Sequence, residues 1–199
     1  MKAVIGVILL GLASLSFILP KGGYEIGDSV SDFSLKNIDG KMISLSSFKD
    51  NSGVIVVFDC NTCPVSKAYN SRILALSKKY EKTFPLVAIN SNDPDQSPGD
   101  SFSKMISYAR AKGYTFPYLI DETQNVAKTF GATNTPHVFI LAKSGENYKV
   151  VYIGAIDDNT KSESGVSKKY VEQAVSSLLA GNQVAVTKTR AIGCGIKWK

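Results

Sequence analysis

The sequence predicts an α/β domain built on a central mixed sheet. Val54-Ile-Val-Val-Phe58 and Leu86-Val-Ala-Ile-Asn90 are unbroken, largely β-branched apolar runs, the pattern of strands buried on both faces. Stretches of helical character lie between and after them, so strands alternate with helices. Residues 138–141 and 149–153 flank the turn pair Ser144-Gly145 and read as a hairpin, which supplies an antiparallel part.

Taken in order, Asp32-Phe-Ser-Leu alternates polar and apolar and reads as a short strand. Asp39-Gly40 is a turn, and residues 42–45 return as a second strand. This gives an N-terminal β-hairpin extension ahead of the central strand 54–58. Pro64 opens a helix towards Tyr80, since a first-turn N–H has no helical partner to lose. Strand 86–90 is followed by a polar, Pro-containing loop over 91–99. Asp100 or Ser101 caps a helix over 102–111 that stops at Gly113. A short strand over 116–120, a helical stretch over 125–130 ended by Gly131, the hairpin, and a helix over 170–179 stopped by Gly181 complete the domain.

The chain has 199 residues, 44% hydrophobic and 20% charged, enough to bury a core without disulfide staples. Its net charge of +6 is scattered rather than gathered in a stripe with aromatics, which argues against nucleic-acid binding. Lys2 precedes an apolar run over residues 3–19, ended by Pro20 and Lys21. That is the layout of an export signal. Ser14 and Ser16 suit a cleavage pair, while Phe17, Ile18 and Leu19 continue the apolar run, as in a retained membrane anchor. The expected organisation is a signal or anchor over 1–21, a domain over 24–181, and a tail over 182–199 docked on it. Export places the domain in the periplasm or elsewhere outside the cytoplasm, soluble or held to the membrane through residues 3–19, where disulfides persist.

Cys60-Asn61-Thr62-Cys63-Pro64 falls where the central strand hands over to a helix. A sulfur at a helix N-terminus is stabilised as thiolate, and two intervening residues bring both sulfurs within bonding reach. Cys60 is expected to be the exposed, attacking thiolate and Cys63 the buried sulfur that resolves the mixed disulfide. Zinc needs four ligands, and beyond this pair the chain offers only Cys194 and His137. No Gly-rich nucleotide loop is present and no organic cofactor is expected.

Several segments resemble the redoxin or alkyl hydroperoxide reductase superfamily, among them Gly27-Asp-Ser-Val-Ser-Asp-Phe-Ser-Leu, Asp39-Gly-Lys and Ser44-Leu-Ser-Ser-Phe. Cys60-Asn-Thr-Cys-Pro, Asn90-Ser-Asn-Asp, Gly131-Ala-Thr-Asn-Thr-Pro, Gly154-Ala-Ile-Asp-Asp-Asn and the tail Gly193-Cys-Gly-Ile-Lys-Trp198 are similar to its peroxiredoxin-like thioredoxin-family subgroup. The resemblance implies a thioredoxin fold in which the Thr135-Pro136 bond is cis, faces the dithiol and holds substrate backbone. It implies thiol–disulfide exchange with protein or small-molecule thiols and disulfides, and a redox partner that resets the dithiol.

The chain departs from these relatives in places. Asp59 directly precedes Cys60, where a carboxylate opposes thiolate formation unless it points into solvent. The only Trp is Trp198, and strand 54–58 holds no acid, so proton transfer falls to water or Lys67. Val57 stands where a peroxidatic cysteine at 60 would need a Thr. Arg72 could supply a peroxide-orienting cation, though it reads first as an exposed helix residue, so thiol peroxidase is the alternative activity. Cys194, between Gly193 and Gly195, is either a small buried thiol or a third redox partner. His137 could join Cys60 and Cys63 in a copper site, the reading of a copper chaperone. Asp157-Asp158 reads as a solvated turn.

Overall fold

The structure is a computed structural model that describes residues 22–199. The signal or anchor expected over 1–21 lies outside the described residues. Among the described residues, no helix is long and apolar enough to cross a membrane.

The elements run β1 (Ser29–Val30), β2 (Ser34–Asn37), β3 (Met42–Ser44), β4 (Gly53–Phe58), α1 (Pro64–Tyr80), β5 (Leu86–Asn90), α2 (Phe102–Lys112), β6 (Tyr118–Ile120), α3 (Asn125–Phe130), β7 (Asn134–Thr135), β8 (His137–Ser144), β9 (Asn147–Gly154), α4 (Tyr170–Leu179) and β10 (Cys194–Gly195). Eight strands form one sheet in the order β1-β9-β8-β4-β5-β6-β2-β3. β4, β5 and β6 are parallel, and β8, β9, β2 and β3 add antiparallel partners on either side. The α/β expectation with a mixed central sheet holds. The N-terminal hairpin widens that sheet, because β2 pairs with β6. The hairpin β8–β9 is longer than its apolar centre suggested, since its polar ends stay paired out to Ser144 and Asn147.

All six residues of β4 are buried, as a strand flanked by β5 and β8 and covered on both faces must be. Alternation along β4 splits the core in two. Ile55 and Val57 pack with Ile73 of α1, Met105 of α2 and Val171 of α4. Val54, Val56 and Phe58 pack on the other face with Phe130 of α3 and Phe139 of β8. Phe130 meets Tyr24, Phe58 and Phe139 edge to face, with ring centroids 5.1, 5.4 and 5.2 Å away. The parallel strands end on one side of the sheet. The chain leaving β4 there carries both cysteines.

Candidate active site

The last β4 ladder bond runs from Asp59 N–H to Ile89 O at 2.9 Å, and the chain then turns through residues 60–63. Pro64 is the first residue of α1, so the N-cap is Cys63, with φ −64° and ψ 124°. The helix end therefore belongs to Cys63, not Cys60 as the sequence suggested. Pro64 fixes the helix start four residues after Cys60, too late for the helix end to reach the first cysteine.

The turn is held from the loop after β5. Asp100, fully buried, accepts from Asn61 N–H (2.7 Å), Thr62 Oγ1 (2.7 Å), Ser97 Oγ (2.6 Å), Asn92 Nδ2 (2.9 Å) and Asn90 Nδ2 (3.2 Å). Burial alone would raise its pKa. The donors from Ser97, Asn92, Thr62 and Asn61 outweigh that and hold the carboxyl below its ordinary value. The sequence offered Asp100 only as a helix cap. It is instead the anchor of the dithiol turn.

Both sulfurs face Thr135. Cys60 Sγ lies 3.1 Å from Thr135 Oγ1, and Cys63 Sγ lies 3.2 Å from the Thr135 carbonyl oxygen. The Thr135-Pro136 peptide is cis. The three cysteines are unpaired thiols. Cys60 is 1% exposed and Cys63 2%, so Cys60 is not the open thiol expected. The tail strand β10 pairs with β7, Cys194 opposite Thr135, and Cys194 N–H donates to Cys63 Sγ at 3.4 Å.

The pair shares one charge. Cys63 is drawn down from the ordinary thiol range, first by the S–H of Cys60 and then by groups of Cys194 and the N–H of Ser66. That same hydrogen bond pushes Cys60 up, with burial and the carboxylates of Asp100 and Asp59 adding to it. The proton has a second seat. On Cys63 its S–H meets the Thr135 carbonyl, and the Thr135 hydroxyl then faces a charged Cys60.

Asp59 is buried rather than turned to solvent, and its Oδ1 has no hydrogen-bond partner. Desolvation raises its pKa from 3.8 to about 6. An acid is thus present beside the dithiol, one residue past the strand that lacks one. Lys67 is exposed on α1. Arg72 is buried, not exposed. It donates from Nη1 to both oxygens of Asp157, at 2.9 and 2.7 Å, and to Asn159 O at 2.6 Å. Asp157 is accordingly a buried ion-pair partner, not part of a solvated turn. His137 stacks beside Phe139, its Nδ1 accepts from Thr133 N–H at 3.4 Å, and burial lowers its pKa to about 4. Among the described residues no cluster of three His, Cys, Asp or Glu could hold a metal, so His137 does not join the cysteines.

Residues 26–153, more than half of the chain, match the family described as AhpC/TSA. The chain belongs to the AhpC/TSA family. The thiol-disulfide oxidoreductase ResA of Geobacillus thermodenitrificans is 24% identical over 154 residues, 73% of this chain and 83% of that one. An uncharacterized conserved protein of Geobacillus kaustophilus, solved by crystallography, is 36% identical with TM-score 0.80 over 96% of this chain and 98% of that one. The exposed lipoprotein thioredoxin Etrx1 of Streptococcus pneumoniae has the same fold, with TM-score 0.51 and 22% identity over 60% of this chain and 87% of that one. This AhpC/TSA chain is an oxidoreductase on a thioredoxin-like fold.

Proposed function

We propose that this chain carries out thiol–disulfide exchange outside the cytoplasm, with Cys60 and Cys63 as the working dithiol. The observation that carries the reading is the convergence of both sulfurs on Thr135, at 3.1 and 3.2 Å. The S–H proton of Cys60 passes to Cys63, which donates it to the Thr135 carbonyl. Cys60 is left as thiolate opposite the Thr135 hydroxyl. It attacks a substrate disulfide, one substrate sulfur leaves as thiolate, and a mixed disulfide forms. Cys63 loses its proton, attacks Cys60, and the second substrate sulfur leaves. Asp59, with a pKa near neutrality, is the buried acceptor for that proton. Thr135 and Pro136 present the dithiol to substrate, and the β7 edge that a substrate backbone would pair with carries β10. A thiol partner outside the cytoplasm returns the disulfide to dithiol, and the basic start and apolar run of residues 2–19 are the export segment.

Turnover of a disulfide peptide with dithiothreitol tests the reading. Cys63→Ser should trap a mixed disulfide on Cys60, and Cys60→Ser should lose turnover by at least ~100-fold. Equal turnover in Cys60→Ser and wild type would sink it. Turnover with peroxide in place of the disulfide would favour the peroxidase reading. Arg72, the cation that reading would use, pairs with Asp157 instead.

A further inference from the structure

The tail carries more chemistry than a docked terminus needs. β10 lies antiparallel on β7, with Cys194 opposite Thr135 and Gly195 opposite Asn134. Asn134 Nδ2 donates to Gly193 O at 3.1 Å and Ile196 N–H to Thr133 O at 3.0 Å. Ile196 is buried in the core, and Lys197 N–H reaches Asn92 Oδ1 at 2.9 Å. Gly193 is required at its position, because a Cβ there would lie 2.0 Å from the Thr135 carbonyl oxygen. The closeness has one consequence for the sulfurs: Cys194 meets Cys63 through its backbone N–H, which donates to Cys63 Sγ at 3.4 Å. Extended backbone added to a strand edge is how a peptide substrate binds. Here the edge beside the dithiol is already filled by a strand that brings its own cysteine.

We propose that Cys194 is a third redox-active cysteine of this site, and that β10 is a tethered stand-in for a substrate strand which passes the disulfide from Cys60–Cys63 to Cys63–Cys194. The inference rests on the dithiol reading above. In the step, Cys194 loses its proton and its thiolate attacks Cys63 Sγ. The Cys63–Cys194 bond forms and the Cys60–Cys63 bond breaks. Cys60 leaves with the electron pair and takes up a proton. No outside oxidant or reductant is consumed. In the dithiol form the Cys194 thiol is held up at about 11, by burial first and then by its hydrogen bond to Cys63 and the charge there. The two causes involving Cys63 vanish once that sulfur is in a disulfide, which makes the tail thiol easier to deprotonate there, while burial still holds it up.

Trypsin separates the partners: Cys60 and Cys63 lie in peptide 50–67 and Cys194 in peptide 191–197. The full-length protein is equilibrated with graded ratios of reduced and oxidised glutathione, quenched, alkylated and mapped by mass. Cys60→Ser should oxidise to a species in which 50–67 is linked to 191–197. Wild type should show that link at intermediate ratios beside the bond internal to 50–67. Gly193→Ala, which pushes the tail off Thr135, should lower the link by about tenfold while the internal bond still forms. If Cys60→Ser instead ends with glutathione on Cys63 and an alkylated Cys194, and wild type shows only the internal bond, the tail inference is overturned and the dithiol reading stands. If wild type forms no internal bond, the dithiol reading itself fails.

Discussion

Asp59 and Cys63 are the residues whose ionisation the fold alters most usefully. Asp59 binds its proton more tightly in the folded chain than in the unfolded one, about 6 against 3.8. Its contribution to stability is therefore present below about pH 4 and is lost as pH rises through about 6. That difference corresponds to roughly 3 kcal/mol. Asp59→Asn should be more stable than wild type by up to about that amount near pH 8 and level with it near pH 3, read from urea midpoints at both pH values. The same variant should slow exchange at neutral pH by ~10- to 100-fold, since the buried acceptor is gone. For the cysteine pair, the first thiolate seen by ultraviolet absorbance should form below the ordinary thiol range, and Cys60→Ala should move that midpoint upward because the hydrogen bond between the two sulfurs is the main stabiliser. A midpoint unmoved by that substitution would contradict the shared-charge account. These roles were out of reach of the sequence for a specific reason. An acid beside a cysteine shows no burial in one dimension, and only the strand ladder through Asp59 N–H turns its carboxyl inward.

At the scale of elements, the apolar runs of β4 and β5 and the turn pairs at Asp39-Gly40 and Ser144-Gly145 carried their information locally, so strands and hairpins were legible. The dithiol's place at the end of β4 was equally local, since the buried run stops at Phe58 and Pro64 starts the helix. Apart from Thr135-Pro136 facing the dithiol, which the family resemblance implied, contacts distant in sequence were not legible. Asp100 lies about forty residues from the turn it holds, and in its polar loop it resembles any helix cap. Asp100→Ala would leave the donors of Asn61, Thr62 and Asn92 without their acceptor and should cost about 3–5 kcal/mol, with faster alkylation of both cysteines. Because its pKa is depressed, the stability Asp100 supplies is lost as pH falls through its folded value. Arg72 and Asp157 pair across 85 residues and looked like an exposed helix cation and a solvated turn. Arg72→Met strands a buried carboxylate and should also cost about 3–5 kcal/mol by chemical denaturation. Exchange per folded molecule should stay within about twofold of wild type, because the pair joins α1 to the segment after β9 rather than to the sulfurs.

Across the whole molecule, one arrangement serves the chemistry. The parallel strands β4, β5 and β6 end on the same side of the sheet. The turn after β4 brings the sulfurs there, the loop after β5 fixes that turn through Asp100, and β7 brings Thr135 against both sulfurs from the opposite flank. The fold class was readable because alternation of buried strands and helices survives in one dimension. The tail's place was not, because residues 193–197 have neither period nor apolar run and are positioned by groups distant in sequence: β7, Asn92, Asp93, Gln124 and the core around Ile196. The measurement that bears most directly on the central claim is a redox titration of full-length wild type against glutathione, with each cysteine mapped by mass. Cys60 and Cys63 should oxidise together and reversibly, with one midpoint, into a bond internal to peptide 50–67 at the first oxidation step. Oxidation that stops at glutathione mixed disulfides on Cys60 or Cys63, with no reversible bond between them, would contradict the account.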